Sequence, residues 1–332
     1  MFDVPVVLFI FKRTKAVEII KRISEVKPQR LYIIADYGRN DEEKKLADQC
    51  RELVESAIDW DCELIKNYAE ENRGVYKNIG LGAKWVFERE ARAIFLEDDN
   101  LPEVTFFRFC QEMLDRYNDD QRILWICGTN YLGKYDSPYN HSYCFTSHML
   151  PCGWASWADK FCRYYDGDLK LMDDPFVMNN IQYEYCNKNV YEQYIGYSKA
   201  EKRRIQSNAK PLSWDYQMDF SIKSNHLLGI CPCNNQIKNI GVDEFSTHGG
   251  YDLSMVMTQR FCGMESYPME FPLVHPDSVL RDMEFEKQIG KIILYPLGHR
   301  IKNKLQAVAR KILHIPESKS VRQHIKEKLL KE

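Results

Sequence analysis

Ile94-Phe95-Leu96-Glu97-Asp98-Asp99-Asn100-Leu101-Pro102 runs from an apolar segment straight into three consecutive carboxylates. Like charges this close repel, so the trio is costly to assemble unless a cation or hydrogen-bond donors neutralise it. Oxygen ligands alone favour hard ions such as Mg²⁺ or Mn²⁺. Such ions are held by one or two carboxylates, with substrate phosphates and water completing the shell. The stretch therefore predicts a metal–diphosphate site at the end of a buried strand, Ala93–Leu96. Taken without their position, the same three residues read equally well as a solvated acidic loop.

Working outward, strand and helix patterns alternate on either side. Val4–Phe11 is a continuous apolar run, as expected of a strand covered on both faces. Val17, Ile20, Ile23 and Val26 recur at helical spacing over residues 14–26, with Thr14 as the expected N-cap. Arg30–Ala35 is a second strand, ending in the turn signal Asp36-Tyr37-Gly38. A helix is expected over Asp41–Ile58, a third strand over Cys62–Lys66, and a helix over 77–90. Another helix is expected over Phe106–Tyr117 and a strand over Ile123–Cys127. Strands separated by helices imply a mostly parallel α/β sheet, and ligands of such sheets bind outside the carboxyl ends of the strands. Arg13, Asp36 and the acidic trio all fall at such ends.

Beyond residue 130 the pattern weakens. One helix is expected around 155–165 and a strand pair within 224–240, about Cys231-Pro-Cys233. The polar stretch 166–210 carries no pattern that fixes an element. The 332 residues are 44% hydrophobic and 28% charged, within the globular range, which excludes global disorder. A net charge of -2 argues against a nucleic-acid partner. Eleven irregularly spaced cysteines with no CxxC pair suit neither a zinc ribbon nor a disulfide framework, and point to a reducing, cytoplasmic setting. The N-terminal apolar run reads as a strand and not a signal peptide, and no run approaches the ~20 residues that span a bilayer. From Lys291 to Glu332 there are eleven Lys/Arg against three Asp/Glu, a net +8 that leaves -10 for the rest. Ile301, Leu305, Val308, Ile312 and Leu313 lie near helical spacing opposite this basic face. That is the pattern of an interfacial helix on the inner face of the plasma membrane, although a solvent-facing terminal helix gives the same composition.

Further short motifs join the acidic trio in order: Phe11-Lys12-Arg13, Asn72-Arg73-Gly74, Trp85-Val86-Phe87, Gly153-Trp154-Ala155-Ser156-Trp157, Trp214-Asp215-Tyr216-Gln217, and Asn239-Ile240-Gly241 with Thr247-His248. Together, over about residues 4–250, they resemble the nucleotide-diphospho-sugar glycosyltransferases of GT-A fold. Within these the chain looks most like bacterial transferases acting on surface polysaccharides, and it is similar to the Golgi N-acetylglucosaminyltransferase that carries an EDD motif. The resemblance implies a Rossmann-like, mostly parallel mixed sheet flanked by helices. It divides the chain into a nucleotide-sugar half (1–130), an acceptor-binding and catalytic half (131–275) and a basic helical tail (285–332).

The same resemblance implies roles. Asp99 would be the direct ligand of Mn²⁺ or Mg²⁺. Asp98 would bind ribose or lie near the metal, and Glu97 would contact the donor sugar. Arg13 and Asp36 would hold uracil and ribose, and His248 the diphosphate or metal. Asp215 would be the catalytic base, with Trp214 stripping water from it, and Trp154 and Trp157 would face the acceptor. Each residue has a plainer reading: a surface cation for Arg13, a turn aspartate for Asp36, a loop histidine for His248, core packing for the two tryptophans on one helix face. Asp219, Asp243 and Glu244 compete with Asp215. The acceptor motif departs from the family's GWGWATW, and residues 77–84 lack a counterpart of the Golgi enzyme's nucleotide-contacting histidine. The implied activity is metal-dependent, inverting transfer of a sugar from a UDP-sugar to a glycan hydroxyl, free or lipid-linked. A sugar-nucleotide nucleotidyltransferase would require a glycine-rich loop where the chain reads Phe11-Lys12-Arg13-Thr14. A glycan-binding protein with a decayed site would not need Glu97, Asp98, Asp99 and Asp215 together.

Overall fold

Val6–Ile10 (β1), Arg30–Ala35 (β2), Glu63–Tyr68 (β3) and Arg92–Glu97 (β4) form one wing of an eight-stranded sheet, in a computed structural model that describes residues 2–242, 254–313 and 315. The other wing is Ile123–Cys127 (β6), Tyr143–Thr146 (β7), Trp154–Trp157 (β8) and Leu228–Pro232 (β9). The order across the sheet is β3-β2-β1-β4-β8-β6-β9-β7. β1 pairs in parallel with both β2 and β4, β2 with β3, and β6 with β9. β8 runs antiparallel between β4 and β6, and β7 antiparallel to β9. This is the mixed, mostly parallel α/β architecture expected from the sequence. The chain leaves β1 toward β2 and β3, then returns to place β4 on β1's other side. That reversal is a topological switch point, where open α/β sheets bind ligands.

The period-2 geometry of strands divides the core into two layers. Val7, Phe9, Ala93 and Phe95 point to one face, and Val6, Leu8, Ile10, Ile94 and Leu96 to the other. Helices α1 (Ala16–Ser24), α2 (Asp41–Ser56), α3 (Gly82–Phe87) and α4 (Val104–Arg116) accompany the first wing, and α5 (Ala158–Tyr164) the second. The Asn40 side chain caps α2 by accepting from the Glu43 N–H at 2.9 Å. At α1 the expected cap fails: Lys15, not Thr14, occupies the N-cap and makes no side-chain cap bond. The helix expected over 77–90 begins as a π-turn, Tyr76–Leu81, before α3.

Two expectations for the second half are corrected. Residues 154–157 are a strand, and only Ala158–Tyr164 is helical. Residues three apart lie on opposite faces of a strand, so Trp154 enters one core layer and Trp157 the other. The two strands within 224–240 exist but do not pair with each other. β9 joins the main sheet, whereas Ile237–Asn239 (β10) pairs antiparallel with Asn100–Pro102 (β5) as a separate two-stranded ladder. The unassigned stretch folds as short helical turns, α6 (Pro175–Asn180) and the long α7 (Lys188–Gln206). Then follow α8 (Asp215–Ser224), α9 (Val256–Cys262), α10 (Met283–Ile293) and α11 (Leu297–Leu313). All eleven cysteines are free. Among the described residues no helix is long and apolar enough to cross a membrane.

Candidate active site

The acidic trio leaves β4 at the switch point, and each carboxylate has a different fate. Asp98 is buried and turns toward the loop after β1. It accepts the Phe11 N–H at 3.1 Å and an Arg13 guanidinium N–H at 2.9 Å. The same Arg13 nitrogen reaches Asp99 at 3.2 Å. Asp99 also accepts from the Asn100 amide at 2.7 Å, while the Asn100 carbonyl oxygen accepts the Gly153 N–H at 2.9 Å. The β5–β10 ladder clamps this tip, pairing Asn100 with Asn239, and the Ile240 N–H donates to the Asp99 carbonyl at 2.9 Å. Gly241 allows this close approach, because a Cβ at that position would press into the Asp99 side chain. The Asn-Ile-Gly motif is therefore a backbone cradle against Asp99.

Glu97 has no hydrogen-bond partner for its carboxylate among the described residues, and it faces a cavity. Burial raises its pKa well above the ordinary carboxylate range, and Asp99, Asp98 and Asp215 raise it further, with Arg13 only partly opposing. Asp36 is the contrary case. It is buried and its oxygens accept from the backbone of Tyr37 (2.8 Å), Arg73 (2.6 Å) and Gly74 (3.0 Å) and from the Asn72 amide (3.1 Å). A carboxylate offers about four acceptor sites, so Asp36 is occupied in fastening the Asn72-Arg73-Gly74 turn.

Asp215 stands in the first turn of α8 and accepts a hydrogen bond from the Ser213 hydroxyl. A column of rings sets its place. Phe95, two residues before Glu97, stacks on Trp154 at 3.9 Å. Trp154 stacks on Trp125 at 4.3 Å and lies 5.6 Å from Trp214, the neighbour of Asp215. Trp154 thus spaces the two acidic elements from within the core, and neither it nor Trp157 offers a face to an acceptor; both are 1% exposed. Trp157 donates its indole N–H to the Leu114 carbonyl at 3.0 Å. Asp219, one turn after Asp215, accepts from the Tyr185 hydroxyl at 3.0 Å, and burial pushes its pKa up to about 6.

Arg13, Glu97, Asp99 and Asp215 converge on one cavity of about 270 Å³. Asp219 reaches its wall, and Asn100, Asn239 and Gly241 line it beside the trio. Tyr131, Tyr194, Tyr216 and Tyr295 also line it. The tyrosines come from loops and helices without a shared period, which is why sequence patterning missed them. Asn100's bridge to Gly153 was signalled only by its place beside the trio. Asp36 and Asp98 sit behind the cavity wall. His248, with the competitors Asp243 and Glu244, lies outside the described residues.

Among the described residues no group of three or more His, Cys, Asp or Glu side chains is arranged to hold a metal ion. The donor set nonetheless fits a hard cation held by one carboxylate and completed by phosphate oxygens and water. Asp99 borders the cavity, and beside it Glu97, whose pKa burial and the neighbouring carboxylates raise, has no hydrogen-bond partner for its carboxylate among the described residues.

No protein-family model matches the chain, and no curated protein matches it. Several solved structures are loosely similar. The mannosyltransferase PcManGT from Pyrobaculum calidifontis, in complex with GDP-Man and Mn²⁺, is 10% identical over 67% of this chain and 68% of its own, at TM-score 0.35. A UDP-glucose pyrophosphorylase complexed with UDP-glucose is 9% identical over 71% of this chain and 91% of its own, at TM-score 0.32. HddC from Yersinia pseudotuberculosis, complexed with GMP-PN, is 12% identical over 42% of this chain and 66% of its own, at TM-score 0.28. Likeness this loose carries no argument about activity, which rests on the cavity itself.

Proposed function

We propose that the chain is a divalent-metal-dependent, inverting glycosyltransferase that moves a sugar from a UDP-sugar to a glycan hydroxyl, in bacterial capsule or lipopolysaccharide synthesis. The observation that carries this reading is the gathering of Arg13, Glu97, Asp99 and Asp215 in one cavity at the switch point of the sheet. Glycosyl transfer expels a nucleoside diphosphate, and negative charge grows on it as the bond breaks. Mn²⁺ or Mg²⁺ held through Asp99 would supply positive charge against that leaving group. Arg13, fixed by Asp98 and Asp99, adds a second cation on the same side. Asp215 would take the proton of the acceptor hydroxyl as it attacks, and one base opposite the leaving group gives inversion. Glu97 would contact the donor sugar. The Asn72-Arg73-Gly74 turn, pinned by Asp36, would wall the nucleoside. Acceptor contact falls to Tyr131, Tyr194 and Tyr216, whose rings offer apolar faces and whose hydroxyls can bond to sugar.

Calorimetric titration with UDP, GDP, CMP and dTDP, with and without Mn²⁺, tests the donor half. UDP should bind best and only with metal, and Asp99→Ala should abolish the metal dependence. Release of UDP from UDP-sugars should follow the same pattern. Tighter binding of another nucleotide, or turnover indifferent to EDTA, would count against the reading.

A further inference from the structure

Helix α11 carries an apolar ridge that no other described residue covers. Leu297, Ile301, Leu305, Val308 and Ile312 are between 50% and 69% exposed. At the pitch of an α-helix they fall within an arc of about 80°. The helix is moored on its far side by Asn303, which donates to the Tyr197 hydroxyl at 3.1 Å, and at one edge of the ridge by Lys304, which pairs with Glu192 at 2.6 Å. Asn303 stands about 160° around the helix from the middle of the ridge, so the ridge points away from the body of the protein. Lys302 lies on one side of the ridge, and Arg300 and Lys311, with the Glu192-paired Lys304 between them and the ridge, on the other. No acidic residue occurs from Leu297 to Leu313.

We propose that this ridge is a docking face for an anionic lipid bilayer. An apolar stripe of this width with cations on both borders matches the two layers of such a surface: acyl chains for the Leu and Ile side chains, headgroup phosphates for the Lys and Arg. A water-soluble protein partner would need the ridge but not cations on both of its sides. The helix also adjoins the cavity. Tyr295, which lines it, stacks on His299 of α11 at 4.6 Å. Tyr197, which moors α11, stacks at 4.8 Å on Tyr216 beside Asp215. If the transferase reading above holds, the acceptor class that suits this placement is a glycan carried on a lipid.

Co-sedimentation of the full chain with vesicles tests the docking face without any nucleotide, so its outcome is independent of the activity. Vesicles of phosphatidylcholine with phosphatidylglycerol should bind the protein about tenfold or more better than phosphatidylcholine alone, and high salt should weaken binding. Leu305→Glu with Ile312→Glu should remove binding, and Lys302→Glu with Lys311→Glu should remove the preference for anionic lipid. Both variants should keep the wild-type melting temperature and UDP affinity. Equal binding to both vesicle types, or binding untouched by Leu305→Glu with Ile312→Glu, would overturn the proposal. So would a wild-type dimer in sedimentation velocity that this variant dissociates, in the absence of vesicle binding.

Discussion

Two acid clusters sit in this protein, one at the tip of β4 and one beneath α10, and they differ in how their charge is met. Glu286 of α10 accepts from the Thr146 hydroxyl at 2.7 Å and the Ser147 N–H at 2.5 Å, with His148 at 3.2 Å and a buried Lys223 near by. Burial alone would raise its pKa, but His148, Lys223 and these donors outweigh it and hold the carboxyl down at about 2. Glu97 is shifted the opposite way, upward, because burial and three neighbouring carboxylates face it with too little positive charge. A fully partnered buried carboxylate belongs to the fold. One left short of partners at a cavity belongs to whatever enters.

Breaking each cluster should therefore damage different properties. The largest effect is expected at Asp215. Asp215→Asn should lower the rate of UDP-sugar turnover by roughly 10²–10⁴-fold, the usual share of a general base, with UDP affinity unchanged by calorimetry. Glu286→Ala should do the reverse. Leaving the buried Lys223 without its counter-charge should cost about 3–5 kcal/mol in urea unfolding, as for other broken buried pairs, while the folded fraction binds UDP normally. If Glu286→Ala instead left stability intact and abolished UDP binding, the contrast drawn above would be wrong.

Smaller effects sharpen the comparison. Glu97→Gln removes one of the crowded charges, so the ligand-free protein should gain roughly 1 kcal/mol at neutral pH, seen as a higher melting temperature, at the expense of turnover. The gentlest test is pH. Asp219 has a raised pKa, from 3.8 to about 6, so the folded state holds its proton longer than the unfolded one. Its contribution is full below the unfolded value and is lost as pH rises through about 6. Glu286, lowered from 4.5 to about 2, stabilises above the unfolded value and loses that contribution as pH falls toward about 2. Urea midpoints measured across this range should slope in opposite senses in the two windows, and Asp219→Asn should flatten only the upper one.

The first wing was legible because its code is local. Arg30–Ala35 and Ile123–Cys127 are strands at the expected bounds, and the acidic trio leaves its strand as read. Where the sequence misled, a non-local partner decided. Trp154 and Trp157 have a spacing that fits a helix as well as a strand, and pairing with β4 and β6 settles it. Ile237–Asn239 lies near β9 in the chain, but its hydrogen bonds go to residues 100–102, more than a hundred positions back. Asp36 and the Asn72-Arg73-Gly74 turn are each visible in the sequence, yet nothing in the residues says that they are bonded to each other. The tyrosines of the cavity wall had no pattern to betray them, since they come from four unrelated elements.

The short ladder of β5 and β10 has a mechanical consequence. Because Asp99 is tied through its own carbonyl to Ile240, and Gly241 touches its carboxylate, the acid tip and residues 237–241 are geared together. A tug on the chain at Gly241 is transmitted to the carboxylate without passing through the main sheet. The backbone of residues 240–241 thus bears directly on the carboxylate that pairs with Arg13.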